Sequence, residues 1–296
     1  MTAPPRNRVD LHTHTARSDG VLEPLELYAQ MRDWGSTLVA ITDHDTLAGA
    51  RELTTAGLGL SGVDGPRVIA GVEINTLVDT EVEAVGGSEE RLSELHILGL
   101  GVEADDPHLE ATLELQRRAR ERRLRLTLDR LAELGIDVQG DLPVVKGGID
   151  ALGRPHVARA LVSAGYAESV QDAFTRYLVP GTPGYVRRQG IGPRQAIEAI
   201  TASGGIASLA HSHWAPDEPE VIDELMRWGL RGLEVHYHHW DAEHIAAMAL
   251  FADARGLLRT GGSDYHGDTG TYAESQESVF VPAVVGDRLL AALDGR

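Results

Sequence analysis

Val9-Asp10-Leu11-His12-Thr13-His14 decides the fold, because it reads as a short apolar strand whose last residues turn polar. Side chains alternate along a strand, so the imidazoles of His12 and His14 fall on one face. Leu38-Val39-Ala40-Ile41 is a second apolar run of this kind, and His44 follows it closely. Barrel enzymes keep their chemistry at the carboxyl ends of parallel strands. The stretch therefore predicts a parallel sheet with a polar site along one edge.

Strands and helices alternate over most of the chain. Pro24 stands where the first turn of a helix would begin, and an apolar stripe of helical spacing follows it. Because parallel strands need crossover helices, the alternation predicts an α/β fold. The predicted strands cover residues 9–11, 37–42, 67–74, 95–102, 205–210, 233–235, 257–261 and 279–281.

The central block, residues 103–192, has a different pattern. Its helical spacings cover residues 107–134, 153–165 and 169–178. Pro180-Gly181-Thr182-Pro183-Gly184 punctuates the exit from the block. We therefore expect residues 1–102 and 193–296 to form one barrel, and residues 103–192 to form a helical insertion.

Composition narrows the classes of function. The chain has 296 residues, a formal net charge of -18 and no cysteine. The charge disfavours duplex DNA as a partner, and the lack of cysteine excludes disulfides and thiolate metal sites. Residues 1–8 contain no apolar signal core, and no apolar run is long enough to span a bilayer. We expect a soluble, cytoplasmic protein that holds any metal through nitrogen and oxygen atoms.

Nine side chains are of the metal-ligand type. Imidazole and carboxylate together are common ligands of zinc, manganese and iron. Eight of them lie at or near predicted strand ends, whereas the ninth begins a helix of the insertion. This coincidence predicts a metal site at which distant parts of the chain meet. The nine residues are His12, His14, Asp19, His44, Glu73, His96, His156, Asp264 and His266.

These residues belong to motifs that follow one another along the chain. The motifs are Asp10-Leu11-His12-Thr13-His14, Ser18-Asp19-Gly20, Thr42-Asp43-His44-Asp45-Thr46, Gly71-Val72-Glu73-Ile74, His96-Ile97-Leu98-Gly99, Gly153-Arg154-Pro155-His156 and Gly262-Ser263-Asp264-Tyr265-His266. As a series they resemble the PHP-domain (polymerase and histidinol phosphatase) family of metal-dependent phosphoesterases. Within this family the chain is most similar to the branch of nucleoside 3′,5′-bisphosphate phosphatases and short-RNA 5′-exonucleases.

The resemblance implies a distorted seven-stranded (βα)7 PHP barrel with the helical insertion as a cap over the substrate. It also implies two or three divalent ions of manganese, iron or zinc, with magnesium as a further option. Asp19 stands where the family often has histidine, and a carboxylate is an equally good ligand for a hard ion. The implied ligand sets are His12, His14, Glu73 and Asp264 for one ion, Glu73, His96 and His156 for a second, and Asp19, His44 and His266 for a third.

The resemblance also places Arg154 and His211 beside the reacting phosphoryl group, as catalytic and substrate-binding residues. A guanidinium matches phosphate oxygens with two parallel donors, and an imidazole can bind the phosphate or protonate the leaving oxygen. The family usually has proline after this histidine, whereas Ser212 follows here. The implied reaction is hydrolysis of a nucleotide phosphomonoester, such as the 3′-phosphate of a nucleoside 3′,5′-bisphosphate, by a metal-bridging hydroxide.

Two other patterns are open to more than one interpretation. The arginine-rich segment from Arg117 to Arg130 would either attract nucleotide phosphates or form a solvated helix face paired with nearby acids. Glu234 would be a residue of the barrel interior. A second set of histidines is more typical of packing or solvated side chains than of a further metal site. This set is His213, His236, His238, His239 and His244.

Alternative functions remain. Within the same fold they are a 5′→3′ exonuclease on short RNA and a histidinol-phosphate phosphatase. A non-catalytic metal-binding scaffold is disfavoured because the ligand series is complete. Hydrolysis of C–N bonds in such barrels often uses a carboxylated lysine, and the single lysine, Lys146, is far from any predicted strand end. The expected partner is a small phosphorylated nucleotide or short oligonucleotide, and the oligomeric state is left open.

Overall fold

A seven-stranded sheet forms the centre of the protein, and its strands are neighbours in the order of the chain. The computed structural model describes residues 8–59, 64–77, 94–143, 152–187, 189–238 and 240–295. The strands are β1 (Val9–Asp10), β2 (Leu38–Ile41), β3 (Arg67–Leu77), β4 (Glu94–Leu100), β5 (Ile206–Leu209), β6 (Gly232–Tyr237) and β7 (Leu258–Gly262). Just beyond β1, the Leu11 N–H donates to the Gly261 carbonyl at 3.0 Å, and the Asp264 N–H donates to the His12 carbonyl at 2.9 Å. These bonds nearly close the sheet into a barrel, which confirms the predicted α/β barrel.

Strand β4 runs against both of its neighbours. The pairs β1–β2, β2–β3, β5–β6 and β6–β7 are parallel, whereas β3–β4 and β4–β5 are antiparallel. The expectation of a wholly parallel sheet is therefore wrong at this strand. Because β4 is reversed, its first residues lie at the end of the barrel where the parallel strands finish. His96, paired with Asn75 of β3, reaches that end although it is near the start of its own strand.

Helices cover the outside of the barrel and form the insertion. They are α1 (Pro24–Trp34), α2 (Ala48–Thr55), α3 (Pro107–Glu133), α4 (Arg154–Ser163), α5 (Val170–Ala173), α6 (Pro193–Ala202), α7 (Pro219–Arg227), α8 (Ala242–Ala254), α9 (Tyr272–Glu277) and α10 (Ala283–Asp294). In α1, Pro24 occupies the first turn as predicted, and Leu27 and Met31 join the apolar cluster that contains Ile41. Within the described ranges, no helix has the length and apolar character needed to cross a membrane. The cytoplasmic location stays a prediction.

The insertion has an apolar core of its own. Leu131 of α3, Leu161 of α4 and Leu178 belong to one buried cluster that is separate from the clusters of the barrel. The first turns of α3 pack elsewhere, because Leu109 and Leu113 belong to the large barrel cluster. One continuous helix therefore connects the barrel to the insertion. The division at residues 102 and 193, and the role of the insertion as a substrate cap, stay predictions.

Some elements differ from their prediction. Residues 279–281 form no strand; Val279 and Val281 are buried between α9 and α10 against the core beside β1. A short apolar run can be buried in a core without pairing with another strand, so its apolar composition alone does not predict a strand. His236 lies inside β6 rather than beyond its end. Helices α6 and α9 were not predicted.

Gly262 lets β7 approach β1 closely. A Cβ added at this residue would lie 2.5 Å from the His12 Cβ and 2.8 Å from the Asp10 Oδ1. Overpacking of a fixed core typically costs ~1–3 kcal/mol. We expect Gly262→Ala to lower the free energy of unfolding by about this amount, as measured by denaturant titration. Gly140→Ala is the matched control, because a Cβ there meets no atom within 4 Å; equal stabilities of the two variants would contradict the prediction.

Candidate metal centre

Glu73, near the middle of β3, is surrounded by histidines. Its side chain is 1% exposed, and each carboxylate oxygen faces more than one imidazole nitrogen. The distances are 3.4 Å from Oε2 to His12 Nε2, 3.3 Å to His14 Nε2 and 3.0 Å to His44 Nδ1, and from Oε1 they are 2.8 Å to His96 Nδ1 and 3.2 Å to His211 Nε2. Widely separated segments of the sequence thus meet at a single carboxylate.

Three groups of side chains are arranged so that one ligand-type atom from each member lies within 4.8 Å of the others. The first and second groups below share Glu73, and the first and third share His14, so the three form one continuous cluster. Every predicted ligand except His156 belongs to at least one of them. The first ligand group is His12, His14, Glu73 and Asp264; the second is Glu73, His96 and His211; the third is His14, Asp19, His44 and His266.

His156 stays a predicted ligand, although it lies apart from the ligand groups in this structure. Among the described residues it belongs to no ligand group, and His211 stands beside Glu73 and His96 instead. His156 lies in the first turn of α4, where its Nδ1 accepts a hydrogen bond from the Gly153 N–H at 3.1 Å. Burial lowers the pKa of His156 to about 4. One ring nitrogen of His156 is thus engaged by the turn that starts the helix.

His211 was expected at the phosphate rather than among the ligand-type residues. It follows β5, whose end lies beside β4, so its ring reaches the carboxylate of Glu73. Burial alone would lower the pKa of His211, but its hydrogen bond to Glu73 raises it. In the sequence, His211 follows a buried strand, as His12 and His44 do. This position could have indicated that His211 lies in the cluster.

Unusual backbone conformations are concentrated at the cluster. His211, Asp264 and Asp45 have φ angles of 30°, 50° and 54°. Non-glycine residues in this left-handed region cost ~1–3 kcal/mol each and persist only where the surroundings fix them. Asp45 follows His44 directly and forms a buried ion pair with Arg120 of α3. The long helix of the insertion therefore helps to hold the turn that carries His44.

Asp43 fixes the loop that contains His14 and Asp19. Its buried carboxylate accepts hydrogen bonds from the Thr15 N–H at 2.7 Å, the Thr15 hydroxyl at 2.8 Å and the Ser18 hydroxyl at 2.8 Å. A carboxylate with several donors to it is a strong local anchor. The loop is thus held at Thr15 and Ser18, the residues next to His14 and Asp19.

Imidazoles of the cluster stabilise the charged forms of its carboxylates, whereas the imidazoles differ among themselves: burial lowers the pKa of His44 well below its ordinary value. Burial alone would raise the pKa values of Glu73, Asp19 and Asp264, but the neighbouring imidazoles hold each pKa well below its ordinary value. Burial alone would lower the pKa of His266, but Asp19 and Asp264 raise it to about 10. His266 therefore favours its protonated form, and it would have to lose this proton to bind a divalent ion.

Several buried atoms of the cluster have no hydrogen-bond partner within the described part of the chain. Buried polar atoms are normally paired, so such atoms call for a ligand or ion. The donor atoms are all nitrogen and oxygen, which suits zinc, manganese or iron. The residues present therefore fit divalent ions. The unpaired atoms are His12 Nε2, both ring nitrogens of His14, Asp19 Oδ1 and His44 Nδ1.

A cavity of about 140 Å³ adjoins the cluster on the side of the insertion. Asp19, His44 and His96 line its floor, and Arg120, Arg123 and Arg154 line its walls together with Glu94 and other residues. Arg154 Nη2 lies 3.2 Å from Glu94 Oε1, and Arg123 Nη1 lies 3.6 Å from the same oxygen. The guanidinium of Arg154 is thus part of a cavity wall next to the ligand groups.

The arginine-rich helix α3 has arginines of both predicted kinds: some lie on a solvated face, and others lie at the site. Arg118 and Arg125 lie on an exposed face, where they pair with Glu114 at 2.7 Å and Glu121 at 2.5 Å. Arg120, in contrast, is largely buried and lines the cavity. One face of the helix is therefore a solvated face, and the other supplies positive charge to the site.

The second set of histidines makes packing contacts. The His238 ring lies 4.4 Å from the Tyr237 ring, and the His244 ring lies 4.8 Å from the Trp240 ring. Burial lowers the pKa of His236 to about 4. In the described part of the chain these residues belong to no ligand group. His239 lies outside the described residues.

Comparisons with known proteins decide the family. Residues 10–145 match the PHP domain. The chain is 34% identical over 275 residues to the 5'-3' exoribonuclease Rnm of Escherichia coli, an alignment that covers 87% of this chain and 84% of the relative. The chain belongs to the PHP family. This confirms the predicted resemblance, and the protein is a metal-dependent phosphoesterase.

Other members of the PHP family align over most of their length. The chain is 29% identical to the 3',5'-nucleoside bisphosphate phosphatase of Chromobacterium violaceum, over 87% of each sequence. A crystal structure from Bifidobacterium adolescentis, assigned as a metal-dependent phosphoesterase, superposes with a TM-score of 0.77 at 29% identity, over 99% of this chain and 100% of that one. A Chromobacterium violaceum structure described as an amidohydrolase with bound sulfate and no metal has a TM-score of 0.79 at 28% identity, over 96% of each chain. Lys146, the lysine weighed for amidohydrolase chemistry, lies outside the described residues of this PHP protein.

Proposed function

We propose that this PHP phosphoesterase removes the 3′-phosphate from nucleoside 3′,5′-bisphosphates. One observation carries the proposal: His96 of the second ligand group and Asp19 and His44 of the third form the floor of a cavity whose walls carry Arg120, Arg123 and Arg154. A phosphate on the floor and a second phosphate against the wall would suit a substrate with two phosphates. The Chromobacterium violaceum relative that bears the name of this activity aligns over most of the chain and supports the choice.

The ligand groups would hold two or three divalent ions of manganese, iron or zinc, with magnesium as a further option. His211 replaces His156 in the second group in this proposal, because its Nε2 lies 3.2 Å from Glu73 Oε1. Asp19 would serve the third group with His44 and His266. When bound, such ions supply Lewis acidity, since they polarise phosphoryl oxygens and lower the pKa of water to near ~7.

The chain's own residues would orient the substrate and its surroundings. Arg154 would bind phosphate oxygens with its paired N–H donors and give up its contact with Glu94. Tyr237 donates its hydroxyl to Asp264 Oδ2 at 2.8 Å, which fixes the second oxygen of this ligand and leaves Oδ1 facing His12 and His14. His211 would act as a ligand and therefore not as the proton donor to the leaving oxygen.

Metal analysis combined with a phosphate-release screen tests the proposed function. The substrates are adenosine 3′,5′-bisphosphate, AMP, 3′-AMP and histidinol phosphate, each with protein loaded with Mn²⁺. We expect phosphate to be released fastest from the bisphosphate and AMP to accumulate as the product. Equal rates on all esters, or preferred hydrolysis of histidinol phosphate, would contradict the proposal.

Arg154→Ala is expected to weaken substrate binding more than turnover. A hydrogen bond to a charged group contributes ~1.5–3 kcal/mol, which corresponds to a fall of about 10- to 160-fold in kcat/KM. Arg159→Ala on the same helix is the matched control, since Arg159 pairs with Asp268 at 3.6 Å outside the arginine-lined cavity. An unchanged kcat/KM in Arg154→Ala would show that this residue is not at the phosphate.

A second candidate function, 5′→3′ hydrolysis of short RNA, is favoured by a second cavity. This cavity of about 490 Å³ borders the ligand groups at Asp264 and His266. A phosphodiester carries a nucleoside on each side of the attacked phosphorus, and the second cavity has room for the further one. Asp268 and Glu274 in its lining disfavour a long anionic chain. Release of AMP from the 5′-phosphorylated dinucleotide pApA would support this function, and hydrolysis of the bisphosphate alone would exclude it.

A further inference from the structure

Glu234 of β6 connects two ligand groups from inside the barrel. Its side chain is fully buried, at 0% exposure. Oε1 lies 3.1 Å from His12 Nδ1, and Oε2 accepts a hydrogen bond from the His211 N–H at 2.7 Å. Each carboxylate oxygen is therefore engaged with a different member of the cluster.

The contact with His12 selects one form of the imidazole ring. A carboxylate only accepts hydrogen bonds, so the hydrogen lies on His12 Nδ1. In the neutral ring, the form that binds an ion, the lone pair of Nε2 is then directed at the centre of the cluster, where Nε2 lies 3.4 Å from Glu73 Oε2 and 3.2 Å from Asp264 Oδ1. A histidine ligand is commonly oriented by a carboxylate on its other nitrogen in this way.

The contact with His211 holds an unfavourable backbone. His211 has a φ of 30°, a conformation that residues with a Cβ rarely adopt. The carboxylate of Glu234 captures the N–H of this strained residue, and the register of β6 against β7 shifts between Glu234 and His236. The ring of His211 is thereby directed to Glu73 Oε1, and it stacks on the His12 ring at 5.9 Å between centroids.

We propose that Glu234 is a positioning residue: it fixes His12 of the first ligand group and His211 of the second in their positions relative to each other. This inference rests on the proposed metal centre. Both oxygens are needed, because both partners are donors. Glutamine has nearly the same shape but only one accepting oxygen, and its amide nitrogen would face either the His12 N–H or the His211 N–H. The charge and symmetry of the carboxylate, and not its volume, are therefore what the site requires.

Titration of Mn²⁺ into metal-free protein tests the role of Glu234. In Glu234→Gln we expect the affinity for the ion to fall by ~10- to 100-fold, as for other residues that orient a metal ligand. Thr260→Val is the matched control: Thr260 is buried on the adjacent strand β7, and its hydroxyl pairs with Ser208 at 2.8 Å away from both histidines. We expect this control to bind Mn²⁺ as the wild-type protein does. Wild-type affinity in Glu234→Gln would overturn the inference.

Nitrogen NMR of the wild-type protein gives a second test that needs no variant. In Zn²⁺-loaded protein labelled with [15N]histidine, we expect the hydrogen of His12 on Nδ1, with Nε2 bound to the ion. A hydrogen on Nε2 would overturn the inference even if Glu234→Gln failed to fold. If the wild-type protein bound no divalent ion at all, the proposed metal centre would fail. If it bound ions and either test above gave the opposite result, only the role of Glu234 would fail.

Discussion

Glu73→Gln is expected to abolish bound metal and phosphoesterase activity together. Both oxygens of Glu73 face imidazole nitrogens, and the first and second ligand groups share this carboxylate. Glutamine would place an amide nitrogen against one of these groups and would remove the negative charge that balances the ions. Loss of a single donor to a transition-state oxyanion costs ~10²–10³-fold in rate, so loss of the shared ligand should cost at least as much. Metal content and phosphate release, measured on the same sample, check the prediction.

The control for Glu73→Gln is the same glutamate-to-glutamine substitution at a residue away from the site. Glu198→Gln changes an exposed residue of α6 that pairs with Arg194 at 2.9 Å. We expect it to retain metal content and rate. Circular dichroism should show the same secondary structure in both variants, because glutamine matches glutamate in size. A Glu73→Gln protein with bound metal and an unchanged rate would be incompatible with the proposed centre.

Removal of the metal is expected to abolish activity and to reverse the way in which stability depends on pH. In metal-free protein the pKa of His266 is raised to about 10, so its contribution to stability is complete below its ordinary value of 6.5 and is lost as the pH rises through about 10. The pKa values of Asp19, Glu73 and Asp264 are lowered, so their contribution is present above their ordinary values and is lost in acid. Metal-free protein should thus be most stable in mildly acidic solution.

Metal-loaded protein should behave in the opposite sense above neutral pH. An imidazole must lose its proton to bind an ion, so the apparent affinity rises as the pH rises toward the pKa of His266. We expect the difference in Tm between loaded and metal-free protein to widen from pH 6.5 to pH 9. Thermal melts with and without a chelator measure this difference, and re-addition of Mn²⁺ should restore activity. A difference in Tm that is independent of pH would contradict the assignment of His266 to the cluster.

The sequence contained most of the site because its ligand-type residues follow strands. His12, His14 and His44 lie just beyond the ends of β1 and β2, and the structure brings them together as the pattern predicted. The direction of β4 was not predictable in the same way. Periodicity reports which side chains are buried but not which way a strand runs. The sequence therefore placed His96 near the start of its strand without showing that this start lies where the parallel strands finish.

Two other features depended on contacts between distant residues. Which of His156 and His211 lies beside Glu73 depends on the positions of the two rings in space, and both residues are histidines beside a predicted element. Glu234 is a single acid in an apolar run, so nothing in its neighbourhood distinguishes an interior residue from one that holds two ligands. A buried carboxylate with two donors is recognised only when both donors are located.

Closure of the barrel between β1 and β7 determines when the first and third ligand groups become complete. His12 and His14 emerge early in synthesis, but Asp264 and His266 emerge only after β7. A partly synthesised chain on the ribosome therefore lacks complete first and third ligand groups, whatever metal surrounds it. In the proposed centre, ions at the first and third groups would be bound only after nearly all of the described residues have been translated, whereas the second group is complete once His211 has emerged.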